Sequence, residues 1–343
     1  MAKVNLIVGG VQKGGTTTIS QHLRNHPLIA FGDTKELHVA SDKDRFADPD
    51  YDLNDAYPRR FANLVAMEGV LPRYLADATP VYCYWPNAIE RLAAYNPATR
   101  LVLIYRDPIE RAYSHWKMEY FHGRETLSFP EAIRSGRSRV ASDPTAPGFH
   151  RVFSYVERGF YANQLRRVFA HFPREQVLVL ETRALEQRVE ETLARIWNFL
   201  ELDAPAAAPK PLRENTAFAH DYGYEFDQRD GEFLYRLFQY EIEAFADLSG
   251  VDVSHWGAAY RGMSPIASAD VLRERALRPN LAFQPFDASH ASASGALHED
   301  TAFEGPPVKR DLQAEIDRLR AENEELRAQL AGTTEKRRSW FGR

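Results

Sequence analysis

The chain has 343 residues, of which 44% are hydrophobic and 27% charged, with a formal net charge of −5. This balance argues against a general nucleic-acid-binding protein, which would carry a strong basic excess. The single cysteine, Cys83, excludes an intrachain disulfide framework and suits a reducing compartment. The apolar run at residues 4–8 is too short for a secretory signal, and no run approaches the roughly 20 apolar residues of a transmembrane helix. We therefore expect a cytoplasmic protein without a transmembrane segment.

Three short apolar runs predict buried β-strands, at residues 4–8, 101–105 and 177–180. We expect the first strand to end at the glycine pair that follows it, and a helix to begin at Thr16. Apolar strands that alternate with amphipathic helices indicate a parallel sheet covered on both faces. The sequence therefore predicts an α/β, P-loop-like fold of three layers, in which ligands bind beyond the carboxyl ends of the strands.

The end of this α/β unit is marked by a late helix that we expect to stop at Gly250. Its apolar residues at helical spacing are Phe233, Leu237, Tyr240, Phe245 and Leu248. The residues that follow are rich in Ser, Ala, Pro, His and Asp, a composition typical of a linker. We assign residues 1–260 to one domain, 261–308 to a flexible linker, 309–331 to a short coiled coil and 332–343 to a basic and aromatic tail.

A heptad repeat lies near the end of the chain. Its a and d positions are Leu312, Ile316, Leu319, Asn323, Leu326 and Leu330. Isoleucine at a with leucine at d favours a two-stranded coiled coil, and a buried asparagine at a fixes its register. Glutamates at g and arginines at e, five residues on, complete the pattern of interchain charge pairs. The repeat predicts a parallel homodimer through residues 312–330; the alternative is a solvated single helix.

A glycine-rich turn, GGVQKGGTTT, connects the first strand to its helix. Backbone N–H groups in such a turn point at one spot, and the helix dipole favours an anion there. Gly14 and Gly15 let the backbone approach a ligand closely, and Lys13 adds a positive charge. A nucleoside-triphosphatase loop places its lysine directly before the Ser or Thr that holds magnesium, whereas Lys13 precedes the glycine pair. The turn therefore predicts an anion site of a different type.

A second candidate anion site follows the strand at residues 101–105. Arg106 leaves this strand at the ligand edge, and Ser114 lies about two turns into a helix whose N-cap we expect at Asp107. Arginine binds a phosphate through two N–H groups, and a hydroxyl completes the site. Taken alone, an Arg-Asp-Pro corner is usually structural. Two such sites on one sheet edge predict a ligand with two separated phosphate-like groups.

The glycine-rich turn and the segment YRDPIERAYSHW resemble the two cofactor motifs of sulfotransferases that use 3′-phosphoadenosine 5′-phosphosulfate (PAPS). The string Lys35-Glu36-Leu37-His38 is similar to the Lys-Glu-x-His element of heparan-sulfate-type carbohydrate sulfotransferases, although the two aromatic residues that usually follow are missing. DATPVY, RGFYANQL and HFPREQVLVLETRAL also match the bacterial branch of this superfamily. The resemblance covers about residues 4–256. The family's late basic-glycine loop has no clear copy; PKPLRENTAF offers only Lys210, Arg213 and Asn215.

The resemblance implies transfer of a sulfuryl group from PAPS to a hydroxyl of a glycan, or of a glycosylated or other small molecule. The product of the donor would be adenosine 3′,5′-bisphosphate, and no metal would be needed. The residues that would hold the 5′-phosphosulfate are Lys13, Gly14, Gly15, Thr16, Thr17 and Thr18. Arg106 and Ser114 would hold the 3′-phosphate. Lys13 would also act in catalysis, by neutralising charge on the bridging oxygen as the donor leaves.

The acceptor hydroxyl needs a base to take its proton. By position in the family pattern this base is Glu36, with His38 as the alternative, and Lys35 would keep the carboxylate ionised. Two other functions stay open: a P-loop nucleotide kinase or hydrolase, and a non-catalytic coiled-coil scaffold with a degenerate nucleotide site. The position of Lys13 counts against the kinase. Aromatic segments at residues 82–85 and 116–121 are candidates either for an acceptor cleft or for the core.

Overall fold

The computed structural model describes residues 3–41, 51–62, 71–141, 150–205 and 226–262. All of them lie in the first of two compact units, Met1–Ser292. The sequence predictions for the coiled coil, the tail and nearly all of the linker concern residues outside these ranges, as do those for Lys210, Arg213 and Asn215.

In the described part of the chain, five parallel strands form one sheet in the order β2-β3-β1-β4-β5. The strands are β1 (Leu6–Gly10), β2 (Ile29–Phe31), β3 (Tyr74–Asp77), β4 (Arg100–Tyr105) and β5 (Val177–Glu181). The three strands expected from the sequence are therefore present, and β2 and β3 are additional. Because β1 and β4 are neighbours, the two loops that carry the candidate anion sites leave the sheet side by side at its carboxyl edge.

Helices cover both faces of the sheet. They are α1 (Thr16–Arg24), α2 (Leu53–Arg60), α3 (Ala88–Tyr95), α4 (Pro108–Phe121), α5 (Phe129–Ala141), α6 (Tyr161–His171), α7 (Thr182–Gln187), α8 (Val189–Leu200) and α9 (Gln228–Ser249). Alternate side chains of β4 point to opposite faces. Val102 and Ile104 pack with α1 and α8, whereas Leu101, Leu103 and Tyr105 pack with α3, α4, α6 and α9. This arrangement confirms the three-layer α/β fold; none of the helices described is long and apolar enough to cross a membrane.

The first strand differs from the sequence prediction because it continues through the glycine pair to Gly10. Gly10 pairs with Leu103 of β4, and a Cβ atom there would lie 3.2 Å from the Cys83 Sγ atom. Both glycines therefore lie in the strand, where Gly10 packs closely against Cys83, and the turn begins at Gln12. The segment 82–85 belongs to the core, where Tyr82 and Trp85 are buried, whereas the segment 116–121 runs from the buried Trp116 to Phe121, which is 42% exposed.

The late helix α9 ends at Gly250 as expected, with this glycine in the left-handed conformation at φ 69°. Its buried face agrees with the expected one in part: Phe245 is fully buried, and Phe233, Leu237 and Leu248 are partly buried against the core. The core residues are Leu234, Phe238, Ile242 and Phe245, whereas Tyr240 is 52% exposed. Both the expected and the observed core residues have helical spacing, so spacing alone does not determine which of them are fully buried. The contact of α9 with the chain before α6 determines it, because the ring centroids of Phe238 and Phe160 lie 5.3 Å apart.

Candidate active site

The loop between β1 and α1 presents free backbone donors at the carboxyl edge of the sheet. Gly15 is the N-cap of α1, with φ at +104°, and no side chain caps this end of the helix. The backbone N–H of Ile19 donates to the Gly15 carbonyl at 3.2 Å. The N–H groups of Thr16, Thr17 and Thr18 precede that bond, so they are available to a ligand. The geometry matches the anion site that the sequence predicts for these residues.

The same loop is held tightly against the end of β4. The N–H of Val11 donates to the Ile104 carbonyl oxygen at 2.7 Å. The Thr182 hydroxyl lies 2.6 Å from the Gly14 carbonyl oxygen and 2.9 Å from that of Tyr105, so it bridges the loop and the strand. A Cβ atom on Gly14 would lie only 2.6 Å from the Ile104 carbonyl oxygen. Residue 14 must therefore be glycine for the loop to approach β4 this closely.

Lys13 lies in a crowded group of positive charges. Burial lowers the pKa of Lys13, and the charges of Arg106, Lys117 and Lys35 lower it further, while Glu119 acts in the opposite direction. Its backbone is in the left-handed region, with φ at 72°, which is uncommon for a residue with a side chain. Cations that repel each other in one place favour the binding of an anion there.

One cavity of about 650 Å³ joins the two candidate anion sites. Its lining includes Lys13 from the β1–α1 loop, together with Arg106 and Ser114 from the β4–α4 corner. Lys117, one turn after Ser114 on α4, lines the same cavity. The sequence reasoning missed Lys117, although its position one turn further along the same helix face is a usable signal. Of the residues that the sequence predicts for phosphate binding, the structure thus brings Lys13, Arg106 and Ser114 to one cavity, whereas residues 14–18 are not part of its lining.

Arg106 lines this cavity and forms a weak ion pair with Glu110. Its Nε and Nη2 atoms donate to Glu110 Oε2 at 3.0 and 2.9 Å, and both side chains are partly exposed. An exposed pair of this kind contributes about 1 kcal/mol or less, so a phosphate can replace it. Asp107 caps α4 as expected, because its Oδ1 atom accepts from the Ile109 N–H at 2.8 Å.

The Lys-Glu-x-His element reaches the anion loop through Lys35. The Lys35 Nζ atom donates to Glu36 Oε1 at 2.9 Å and to Thr17 Oγ1 at 3.0 Å. The His38 Nε2 atom lies 3.4 Å from Glu36 Oε2. Burial opposes ionisation of Glu36, but the hydrogen bond from His38 and the charge of Lys35 outweigh it and lower the pKa of Glu36. The structure therefore places the candidate base and its alternative beside the candidate donor site.

Asp77, at the end of β3, holds this element in place and was missed by the sequence reasoning. Its fully buried carboxylate accepts hydrogen bonds from the Leu37 N–H at 3.3 Å and from the hydroxyls of Thr79, Tyr82 and Tyr57 at 2.6, 2.5 and 3.0 Å. Burial raises the pKa of Asp77. Asp77 is the first residue of the DATPVY segment, but the sequence alone does not show that it contacts the Lys-Glu-x-His element.

Arg158 contacts the loop between β1 and α1 through Gln12. Its side chain is buried and donates to Gln12 Oε1, the residue before Lys13, and to the Arg151 carbonyl oxygen at 2.8 Å. Burial lowers the pKa of Arg158 to about 10. Arg158 is the first residue of the RGFYANQL segment, which resembles the bacterial sulfotransferases but to which the sequence analysis assigns no role. In the structure Arg158 supports the loop through its hydrogen bond to the Gln12 side chain.

A model of the sulfotransferase domain family matches residues 3–229 of the chain. Human heparan sulfate glucosamine 3-O-sulfotransferase 3B1 is 28% identical over 201 residues, which cover 57% of this chain and 45% of that protein. The membrane-associated sulfotransferase kil1 of Dictyostelium discoideum is 32% identical over 114 residues, 33% of this chain and 22% of that one. The matches therefore span less than half the length of these relatives.

Among solved structures, a sulfotransferase from Alicyclobacillus acidocaldarius superposes with a TM-score of 0.60 at 25% identity, covering 75% of this chain and 99% of that one. The fold of the chain is thus similar to that of a solved sulfotransferase. The chain belongs to the sulfotransferase family, whose enzymes use PAPS as the sulfuryl donor. Of the motif residues on which the resemblance was based, Lys13, Arg106 and Ser114 line the cavity described above.

Proposed function

We propose that this chain transfers a sulfuryl group from PAPS to a hydroxyl of a glycan, or of a glycosylated or other small molecule. The observation that carries the proposal is the single cavity lined by Lys13, Arg106 and Ser114, with Glu36 tied to its loop through Lys35. The proposal also uses the sulfotransferase family match over residues 3–229.

The residues present fit a donor with two separated anionic groups. The uncapped start of α1 and Lys13 would hold the 5′-phosphosulfate, because its N–H groups and this charge converge on one place. Arg106 and Ser114 would hold the 3′-phosphate at the neighbouring corner. Burial and, after it, the charge of Arg106 lower the pKa of Lys13, and a bound anion would offset the repulsion between these two cations, so the binding residues are arranged for a ligand of this charge.

When bound, PAPS supplies an activated sulfuryl group, and the protein's own part is positioning and charge stabilisation, as in phosphoryl transfer. Lys13 and the loop N–H groups stabilise negative charge on the departing phosphate side. Glu36 accepts the proton of the acceptor hydroxyl while the hydroxyl oxygen bonds to sulfur and the bond from sulfur to the phosphate oxygen breaks. The lowered pKa of Glu36 keeps its carboxylate in the proton-accepting form at neutral pH.

A kinase or nucleotide hydrolase fits the residues less well. Such an enzyme needs an acid near its phosphate loop to hold magnesium. Asp77 ends the strand next to β1, but its carboxylate already accepts hydrogen bonds from a backbone N–H and three hydroxyls. These observations favour sulfuryl transfer.

The remaining parts of the proposal rest on the sequence. The heptad repeat at residues 312–330 favours a parallel homodimer. The proposed acceptor is a hydroxyl compound, and Glu36 and His38 each offer a proton acceptor for its hydroxyl proton.

The proposal is tested by following radiolabelled sulfuryl transfer from PAPS to a panel of glycans and small hydroxyl compounds. Wild-type protein should sulfate at least one acceptor. Glu36→Gln should lower kcat by about 10²- to 10⁴-fold and leave the affinity for adenosine 3′,5′-bisphosphate unchanged. Lys13→Ala should lower both kcat and the affinity for adenosine 3′,5′-bisphosphate.

The matched control is Glu190→Gln, an exposed glutamate on α8. It should behave as wild type. Normal turnover in Glu36→Gln would show that another group is the base. If wild-type protein neither binds adenosine 3′,5′-bisphosphate nor transfers sulfate to any acceptor, the proposed function is wrong.

A further inference from the structure

The Lys35 side chain lies between the anion loop and the candidate base. Its Nζ atom donates to Thr17 Oγ1, in the first turn of α1, at 3.0 Å and to Glu36 Oε1 at 2.9 Å. Because both oxygens contact the same atom, the loop and the carboxylate face each other across this ammonium group. A substrate that reaches from the loop to the base must therefore pass beside Lys35.

The backbone that carries Lys35 is fixed to the carboxyl edge of the sheet. The Lys35 carbonyl oxygen accepts from the N–H of Ala78, the residue that follows β3, at 3.2 Å. Two residues further on, the Leu37 N–H donates to Asp77 Oδ1 at 3.3 Å. The Lys35 side chain is nevertheless 25% exposed, so a ligand can reach it. A cation that is held in place beforehand stabilises negative charge without reorganisation of the site.

The Lys35 ammonium group retains a hydrogen-bond donor for a ligand. An ammonium group has three N–H donors. Within the described part of the chain, the Lys35 Nζ atom donates to Thr17 and Glu36, which leaves the third donor. The charge of Lys35 is also one of the causes that lower the pKa of Lys13, after burial and the charge of Arg106. The two lysines are thus close enough to act on one anionic group together.

The proposed reaction places such an anionic group between the loop and the base. The acceptor oxygen bonds to sulfur while the bond from sulfur to the phosphate oxygen breaks, and the acceptor proton passes to Glu36. As in phosphoryl transfer, the attacking and leaving oxygens lie roughly in line, and the other three oxygens share the negative charge around the middle. A cation located between the loop and the base faces these three oxygens, whereas Lys13 faces the leaving oxygen.

Resting on the proposed function, we propose that Lys35 is a catalytic residue whose third N–H donates to an oxygen of the sulfuryl group during transfer. Lys13 stabilises the departing phosphate oxygen, so the two lysines act on different parts of the same donor. The sequence implies for Lys35 only that it keeps Glu36 ionised. A carboxyl group with the ordinary glutamate pKa of 4.5 is already ionised at neutral pH, so that role alone gives Lys35 little effect on turnover there.

Calorimetric titration of the full chain with PAPS and with adenosine 3′,5′-bisphosphate, both without acceptor, tests this assignment. The two ligands differ by the sulfuryl group. Lys35→Met removes the charge and keeps an unbranched side chain. It should weaken PAPS binding by about 10- to 100-fold, the range for a hydrogen bond to a charged group, and leave the affinity for the bisphosphate nearly unchanged. In the transfer assay its kcat should fall by about 10²- to 10³-fold at every pH between about 6 and 9.

The matched control is Lys3→Met near the amino end of β1, where the Lys3 Nζ atom donates to the Tyr95 carbonyl oxygen. It should bind both ligands and turn over as wild type does. An equal loss of affinity for both ligands in Lys35→Met would show a structural role and overturn the assignment. A kcat of Lys35→Met that returns to the wild-type value as the pH rises would also overturn it, because Lys35 would then act only on the ionisation of Glu36. Failure of the wild-type protein to bind adenosine 3′,5′-bisphosphate would instead refute the proposed function.

Discussion

Replacing Gly14 with alanine tests how closely the anion-binding loop must approach β4. The added methyl carbon would lie 2.6 Å from the Ile104 carbonyl oxygen and 3.0 Å from two atoms of Val11. Ordinary contact begins at 3.4 Å, so the loop and β4 must separate by about 0.8 Å. The obstacle is a backbone oxygen of a central strand, which cannot move aside as the end of a flexible side chain can. Lys13, the residue before Gly14, moves with the loop.

Two separate losses follow from this displacement. Overpacking of this kind lowers the free energy of unfolding by about 1–3 kcal/mol. In a domain of this size each kcal/mol lowers Tm by about 2–4 °C. A shift of about 1 Å in a group that positions the substrate costs about 10²-fold in rate, so we expect kcat/KM for PAPS to fall about 10- to 100-fold.

The assay combines sulfuryl transfer with thermal unfolding, and Gly123→Ala is the matched control. Gly123 has φ at 69° and no heavy atom within 4 Å of an added Cβ, so alanine there is strained but meets no obstacle. The control should lose stability and keep wild-type turnover. If Gly14→Ala and Gly123→Ala showed the same turnover, the loop would not depend on its approach to β4, and the reasoning would be refuted.

Three further predictions concern the base, its support and the C-terminal repeat. Because the pKa of Glu36 lies below its ordinary 4.5, its carboxylate loses its proton-accepting form only as the pH falls below that value. We therefore expect kcat to hold from neutral pH to about 5, and a fall in kcat between pH 7 and 5 would contradict Glu36 as the base. Asp77→Asn weakens hydrogen bonds to a charged acceptor, so it should lower the free energy of unfolding by about 2 kcal/mol in a denaturant titration. It should also lower kcat more than it lowers the affinity for adenosine 3′,5′-bisphosphate. An equal change in kcat and in this affinity would contradict a positioning role for Asp77. Deleting residues 309–343 should convert a dimer into a folded monomer in analytical ultracentrifugation, and a truncated protein that still sediments as a dimer would contradict the coiled-coil prediction.

The parts of the fold that the sequence predicts are those whose cause is local. The strands around residues 101–105 and 177–180 are continuous apolar runs between polar segments, and Asp107 is followed by a proline at the first helical position. The anion loop is likewise recognisable, because glycines, a lysine and threonines follow one another directly. These features require no knowledge of which strands are neighbours.

The remaining features arise from contacts between distant parts of the chain. Strand β2 has three residues, too few for a periodic pattern, and β3 ends in the charged residue Asp77. Asp77 is buried because β3 lies between β1 and β2, which brings Leu37, 40 residues away, within hydrogen-bonding distance. The position of Lys35 depends in the same way on the contact of its backbone with Ala78, and local sequence cannot reveal it.

The central claim is that the cavity binds the nucleotide of a sulfuryl donor, and thermal unfolding with added ligand tests it most directly. Adenosine 3′,5′-bisphosphate at about 100 times its Kd should stabilise the full-length protein by about 2.7 kcal/mol. The account predicts a rise in Tm with this bisphosphate and none with ATP and magnesium at the same concentration. A rise with ATP and magnesium but none with the bisphosphate would contradict it.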